Sequence, residues 1–209
     1  MIELNSVCVR ASEVELLRPV SESILPGQTL AIRGRNGSGK STLLRVLAGV
    51  VPPTEGSVLV NGVRPDLRSR AFRQAVASLI GMPPMSSDLT VRDHVTLVAS
   101  TWFANPEEAE QVATSVMAQL ELTPLSTRFP HELSSGQLQL FGVSLVLARP
   151  SEVVVIDEPE QRLDDDRLSL VITVLSKLKE KGKTIAVATH STRLANTLSD
   201  VSIDLDSVS

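Results

Sequence analysis

Tyrosine is absent from this chain of 209 residues, and the other aromatics are scarce: one Trp and four Phe make up 2% of a composition that is 42% hydrophobic. Modules that read nucleic acid by stacking bases on rows of aromatics are thereby excluded. Excess positive charge is lacking too. Twenty Lys and Arg against 24 Asp and Glu leave a net charge of −4 and a pI near 5.4, the reverse of the basic stripe that nonspecific nucleic-acid binding needs. Nucleic acid is therefore not an expected partner. Cys8 is the single cysteine, so no intrachain disulfide can form; within a strand-like segment it reads as an inert buried thiol. No run approaches the roughly 18 uncharged apolar residues of a membrane span, and the N-terminus lacks a charged-then-apolar leader. A cytoplasmic location is expected, with any membrane attachment made through a partner.

What the chain does have is enough length for one domain, or for one core with an appended lobe. Strand-like segments fall at residues 2–9, 29–33, 57–60, 76–80, 152–157, 184–189 and 201–205. Helical spacing appears at 40–48, 90–103, 106–122, 135–147, 165–179 and 191–198. Pro106 followed by Glu107 and Glu108 is a good helix start, because Pro suits the first turn and acids suit the positive helix end. Between Glu152 and Asp157 the run is continuously apolar, as in buried parallel strands. This order predicts an α/β fold interrupted by a helical insertion near residues 86–148.

Between the strand at 29–33 and the helix at 40–48 lies Gly34-Arg-Asn-Gly-Ser-Gly-Lys-Ser41, which satisfies G-x-x-x-x-G-K-[ST]. Glycines let backbone N–H groups approach phosphate oxygens where a Cβ would intrude. The helix opening at Gly39 and Lys40 adds unpaired N–H groups and the positive end of its dipole. Gly34, Arg35, Asn36, Gly37, Ser38, Gly39, Lys40, Ser41 and Thr42 are the expected nucleotide cradle. Lys40 reaches the terminal phosphates as a point charge, and Ser41 offers a hydroxyl to Mg²⁺. The plain alternative is a glycine-rich turn that happens to contain Lys and Ser; the strand–loop–helix context favours phosphate.

Val153-Val-Val-Ile-Asp157-Glu158-Pro159 then reads as a Walker B strand. Two consecutive carboxylates at the end of an apolar strand are costly unless a cation uses them. Asp157 is the expected second Mg²⁺ ligand and Glu158 the expected base toward the attacking water.

With these residues in hand, the chain resembles the ATP-binding cassette (ABC) ATPase family along nearly its whole length. Leu133-Ser-Ser-Gly-Gln137 resembles the family signature LSGGQ, Leu163-Asp164 the D-loop, His190 the switch histidine, and Asp88-Leu-Thr-Val-Arg92 the segment that follows the Q-loop. The resemblance implies a P-loop NTPase (RecA-like) core with an N-terminal antiparallel β-subdomain and an inserted α-helical subdomain. In those terms residues 1–209 form one ABC ATPase domain. Residues 1–85 and 149–209 make the α/β core with its β-subdomain, and 86–148 make the helical subdomain that carries the signature. The resemblance further implies that Ser134, Ser135, Gly136, Gln137 and Asp164 face the ATP of a second ABC subunit, and that Glu158, His190 and Lys40 are catalytic.

Three departures from the family pattern stand out. In Ile80-Gly-Met-Pro-Pro-Met85 the Q-loop glutamine is replaced by Met85, and a thioether is a poor Mg²⁺ ligand. Weakened metal coordination or weakened coupling is expected, hence a slow ATPase. Ser135 replaces the first signature glycine. Leu138 and Leu140 replace residues that are often basic, which gives an apolar signature helix that thickens the lobe's core or meets a partner.

The scarcity of aromatics bears on the same family comparison. Such cassettes stack adenine on an N-terminal aromatic, and residues 1–34 contain none. That position falls near residues 9–11, where Arg10 offers a guanidinium plane to the base or is simply a solvated arginine. The expected function is the ATP-hydrolysing subunit of an ABC transporter that works on separate integral membrane permease subunits at the inner face of the cell membrane. A weakly hydrolysing regulatory cassette paired with another ABC subunit is the alternative, and a soluble non-transport ABC ATPase is disfavoured by the acidic single cassette.

Overall fold

The computed structural model describes residues 1–207. The chain runs β1 (Ile2–Ala11), β2 (Val14–Ile24), β3 (Thr29–Arg33), α1 (Lys40–Leu47), β4 (Glu55–Val60), α2 (Arg70–Ala75) and β5 (Val76–Leu79). It continues through α3 (Val91–Ser100), α4 (Pro106–Gln119), α5 (Ser135–Leu147), β6 (Val153–Asp157), α6 (Asp165–Glu180), β7 (Thr184–Ala188), α7 (Thr192–Leu198) and β8 (Val201–Asp204). No helix among the described residues is long and apolar enough to cross a membrane.

Two compact units divide these elements, and α6 begins in the second and ends in the first. The first unit comprises residues 1–80, 151–158 and the chain from Leu175 onward. It holds a three-stranded antiparallel sheet ordered β2-β1-β4 and a five-stranded parallel sheet ordered β5-β6-β7-β3-β8. Strand β6 is buried along Val153–Ile156, and β7 along its whole length, as their uninterrupted apolar runs require. The core joins both sheets through α1: Leu43, Leu44 and Leu47 pack with Ile2, Leu17, Ile32 and Val155, all fully or almost fully buried.

The strand β2 and the short helix α2 have no counterpart in the sequence reading. β2 mixes polar and apolar residues and contains Pro19, which lacks an N–H for the ladder. It lies at the edge of its sheet, where such a strand is tolerated. Bulges in its pairing with β1 further blur the period of two.

The second unit comprises residues 81–150 and 159–174. Helices α3, α4 and α5 pack on one another. α3 opens with a capping box in which Thr90 and Asp93 satisfy each other's backbone N–H groups. α5 is apolar on nearly all sides, with Leu140, Phe141 and Val143 buried, so Leu140 belongs to the core.

Candidate functional site

The register of the parallel sheet gathers the chemistry. Ile32 on β3 and Asp157 on β6 both pair with Ala188 on β7. The three strands therefore end at one level, and the residues that follow them, Gly34 onward, Glu158, and Thr189 with His190, leave from the same carboxyl-terminal edge. That edge is where ligands bind in parallel α/β sheets.

The phosphate loop sits there with α1 behind it. Gly39 is the N-cap of α1 at φ 101°, and no side chain caps the helix, so its first N–H groups are available to an anion. A Cβ on Gly39 would approach the Leu16 carbonyl oxygen to 2.7 Å, which makes glycine a requirement. Lys40 is 5% exposed and arches over the loop. Its Nζ donates to the carbonyl oxygens of Gly34 at 2.9 Å and Arg35 at 3.0 Å, which occupies two of the three ammonium donors. At the other end of the loop Arg35 N–H donates to Asp206 Oδ2 at 2.9 Å. Asp206 was invisible as a loop anchor in the sequence, because nothing local links positions so far apart.

Across the loop stand the carboxylates. Asp157 Oδ1 is buried without a hydrogen-bond partner among the described residues. A buried oxygen in that condition calls for a partner, and the donor set of Asp157 and the Ser41 hydroxyl fits a hard ion such as Mg²⁺. Glu158 takes a left-handed backbone conformation at φ 46°, a strain of order 1 kcal/mol or more for a residue with a Cβ. Its N–H is held by the Ala188 carbonyl oxygen at 2.9 Å, and its Oε1 lies 3.2 Å from Nε2 of His190. A cleft of about 370 Å³ is lined by Val14, Leu16, Asn36, Gly39, Ser41 and Glu158, among others.

On the base side of this cleft, the geometry favours the solvated reading of Arg10. Arg10 Nη1 donates to Glu55 Oε1 at 2.9 Å, so its guanidinium is engaged on β4 and does not line the cleft. The nearest apolar surface is aliphatic: Val14 is 60% exposed and Leu16 40%, both on β2 beside the loop.

The remaining sequence-assigned residues lie in the second unit. Ser134 caps α5 in a capping box. Gln137 N–H donates to its Oγ at 3.3 Å, and its own N–H donates to Gln137 Oε1 at 2.9 Å. Ser135 is the exposed first residue of α5. Gly136 is buried because the 162–167 backbone lies on it; a Cβ there would meet the Arg162 carbonyl oxygen at 2.9 Å. Asp164 accepts from Arg167 N–H at 2.9 Å and pairs with Arg167 Nη1 at 3.1 Å, which fixes the first turn of α6. Met85 is half-buried in an irregular segment.

A sequence profile of the ABC transporter family matches residues 17–161. The chain belongs to that family. A putative ABC transporter ATP-binding protein of Methanosarcina acetivorans is 33% identical over 198 residues, covering 90% of this chain and 72% of that protein. The macrolide export ATP-binding/permease protein MacB of Campylobacter jejuni is 32% identical over 200 residues; the match takes in 93% of this chain but only 31% of MacB. Among solved structures, the ATP-binding cassette MJ0796, captured as a dimer in a post-hydrolysis state with ADP and Pi, matches with a TM-score of 0.85 at 26% identity, over 97% of this chain and 96% of that one. The protein is thus an ABC cassette, an α/β P-loop ATPase that binds ATP.

Proposed function

We propose that this cassette binds ATP with Mg²⁺ on residues 34–42 and closes on a second ABC subunit, homologous or identical. Hydrolysis then reopens the pair, and the cycle drives separate integral membrane permease subunits on whose inner face the cassette rests. The carrying observation is the convergence of Lys40, Asp157, Glu158 and His190 at one edge of the parallel sheet. Lys40 and the α1 N-terminus neutralise the phosphates, and Ser41 with Asp157 would hold the metal, which supplies charge neutralisation at the phosphoryl group. Glu158, kept in place by Ala188 and paired with His190, accepts the proton of the attacking water. His190 orients Glu158 and meets the terminal phosphate. Ser134, Ser135, Gly136, Gln137 and Asp164 present the α5 N-terminus and its neighbouring loop to the partner's nucleotide, with residues 86–148 as the subdomain that carries the four signature residues. Purified chain should release phosphate from ATP and co-purify in detergent with a membrane subunit; finding it with neither property would overturn this reading.

Met85 tunes the cycle. Its thioether supplies neither a hard oxygen for Mg²⁺ nor an amide for the lytic water, so turnover is slow and the response to the permease is weak. Met85→Gln raises the ATPase rate or its stimulation by the partner, and no change in either would remove Met85 from this role. The base rests on Val14 and Leu16 without a ring, so phosphate contacts dominate affinity. A regulatory cassette with little turnover of its own is the second reading, favoured by Met85 alone.

A further inference from the structure

The segment that carries Met85 is tied down by a histidine. Residues 82–87 form no helix or strand. Ser86 N–H donates to His94 Nε2 at 3.1 Å, and among the described residues no other hydrogen bond of this segment reaches beyond Asp88. His94 is 8% exposed. Its Nδ1 lies 2.8 Å from the Thr90 carbonyl oxygen, a pure acceptor, so Nδ1 carries the proton. Its ring meets Phe141 of α5 edge to face, 5.4 Å between centroids and 82° between planes.

Only one of the three forms of the imidazole satisfies both contacts. The neutral Nδ1–H tautomer donates to Thr90 and accepts from Ser86. The other neutral tautomer loses both. The imidazolium keeps the Thr90 bond but turns Nε2 into a donor facing the Ser86 N–H donor. We propose that His94 is a positioning residue whose neutral ring holds the Met85 segment and whose protonation releases it, so that the segment is a proton-sensitive hinge.

The groups around the ring set the balance. On α3, Asp93 bears a carboxyl held below the usual carboxylate range, chiefly by hydrogen bonds from Thr90. Arg92 is engaged by Glu110 of α4. The 82–90 segment contributes Asp88, bonded to Ser87 Oγ. The neighbouring 126–128 turn contributes Arg128, paired with Glu132. α5 brings Phe141 and no ionisable side chain. This inference rests on the proposed function only for its consequence, that a freed segment couples differently to the permease; the hinge itself is a property of the folded chain.

The test is amide hydrogen exchange of the full chain by NMR, corrected for intrinsic rates, at about pH 8 and about pH 5.5, the span in which imidazole charge changes. Ser86 protection should fall in acid about five- to thirtyfold, the scale of one hydrogen bond lost, while Val155 in β6 stays protected. Ring ¹⁵N shifts should report the Nδ1–H tautomer at high pH. His94→Gln, which keeps an acceptor near Nε2 and cannot titrate, should make Ser86 protection independent of pH. His94→Phe should leave Ser86 unprotected at both. Equal protection of wild-type Ser86 at the two pH values, or an acid loss in His94→Gln as large as in wild type, overturns the proposal. ATP hydrolysis is measured separately: an active enzyme with flat Ser86 protection refutes the hinge alone, and an inactive chain with an acid-labile Ser86 refutes the ATPase reading alone.

Discussion

Glu158 Oε1 and His190 Nε2 lie 3.2 Å apart, although they follow two different strands, because Asp157 and the last residue of β7, Ala188, are register partners. The pair is built into the sheet rather than into a flexible loop. His190→Ala should therefore leave the backbone of Glu158 in place and slow phosphate release by about 10²–10³, the scale of removing one preorganised polar group. ATP binding, followed with a fluorescent analogue, should stay within a few-fold of wild type. Wild-type turnover in that variant would take His190 out of the reaction.

Gly39 carries both the turn and the helix N-terminus of the phosphate site. Gly39→Ala forces a Cβ toward the Leu16 carbonyl oxygen at 2.7 Å and strains φ 101°. A loss of about 1–3 kcal/mol in urea unfolding is expected, together with ATP affinity lowered at least tenfold. A fully stable variant with native affinity would contradict the geometry described for the loop.

Asp200 gives the fold a pH dependence whose sign is fixed. It accepts from Thr29 N–H at 2.8 Å and from Lys179 Nζ at 2.8 Å. Burial pushes its carboxyl up, but the Lys179 and Thr29 hydrogen bonds outweigh burial and hold it below its usual range. A lowered folded-state value means stability that is present above the ordinary carboxylate range and is lost as pH falls through the lowered value. Asp200→Asn should cost about 1 kcal/mol at pH 7, given the partial exposure of the pair. The gap between wild type and variant should begin to narrow below about pH 4. Chemical denaturation at pH 7 and pH 3 checks both ends.

Base recognition follows from Arg10 being engaged by Glu55. Arg10→Ala should change neither ATP nor GTP affinity by more than about twofold, since it breaks an exposed ion pair away from the cleft. The two nucleotides should bind within tenfold of each other, because Val14 and Leu16 present methyl groups that do not distinguish purines. Competition titration of ATP against GTP decides it.

The phosphate loop and the Walker B strand were legible because their chemistry is local: spacing of glycines, a Lys–Ser pair, an apolar run ending in two acids. The family motifs added the order of the rest. What stayed hidden depends on distant pairing. Arg10 finds Glu55 through the β1–β4 ladder, Asp206 reaches the loop from the far end of the chain, and β2 is a strand only because β1 offers it an edge. His94 was equally silent, since its meaning comes from Ser86 and Phe141 rather than from its neighbours in sequence.

The most direct test of the cassette cycle is sedimentation of Glu158→Gln with ATP and with ADP, alongside its phosphate release. The expected result is a dimer with ATP, a monomer with ADP, and turnover lowered about 10²–10⁴ by loss of the base. A variant that hydrolyses ATP at the wild-type rate contradicts the account, and one that stays monomeric with saturating ATP contradicts its homodimeric form.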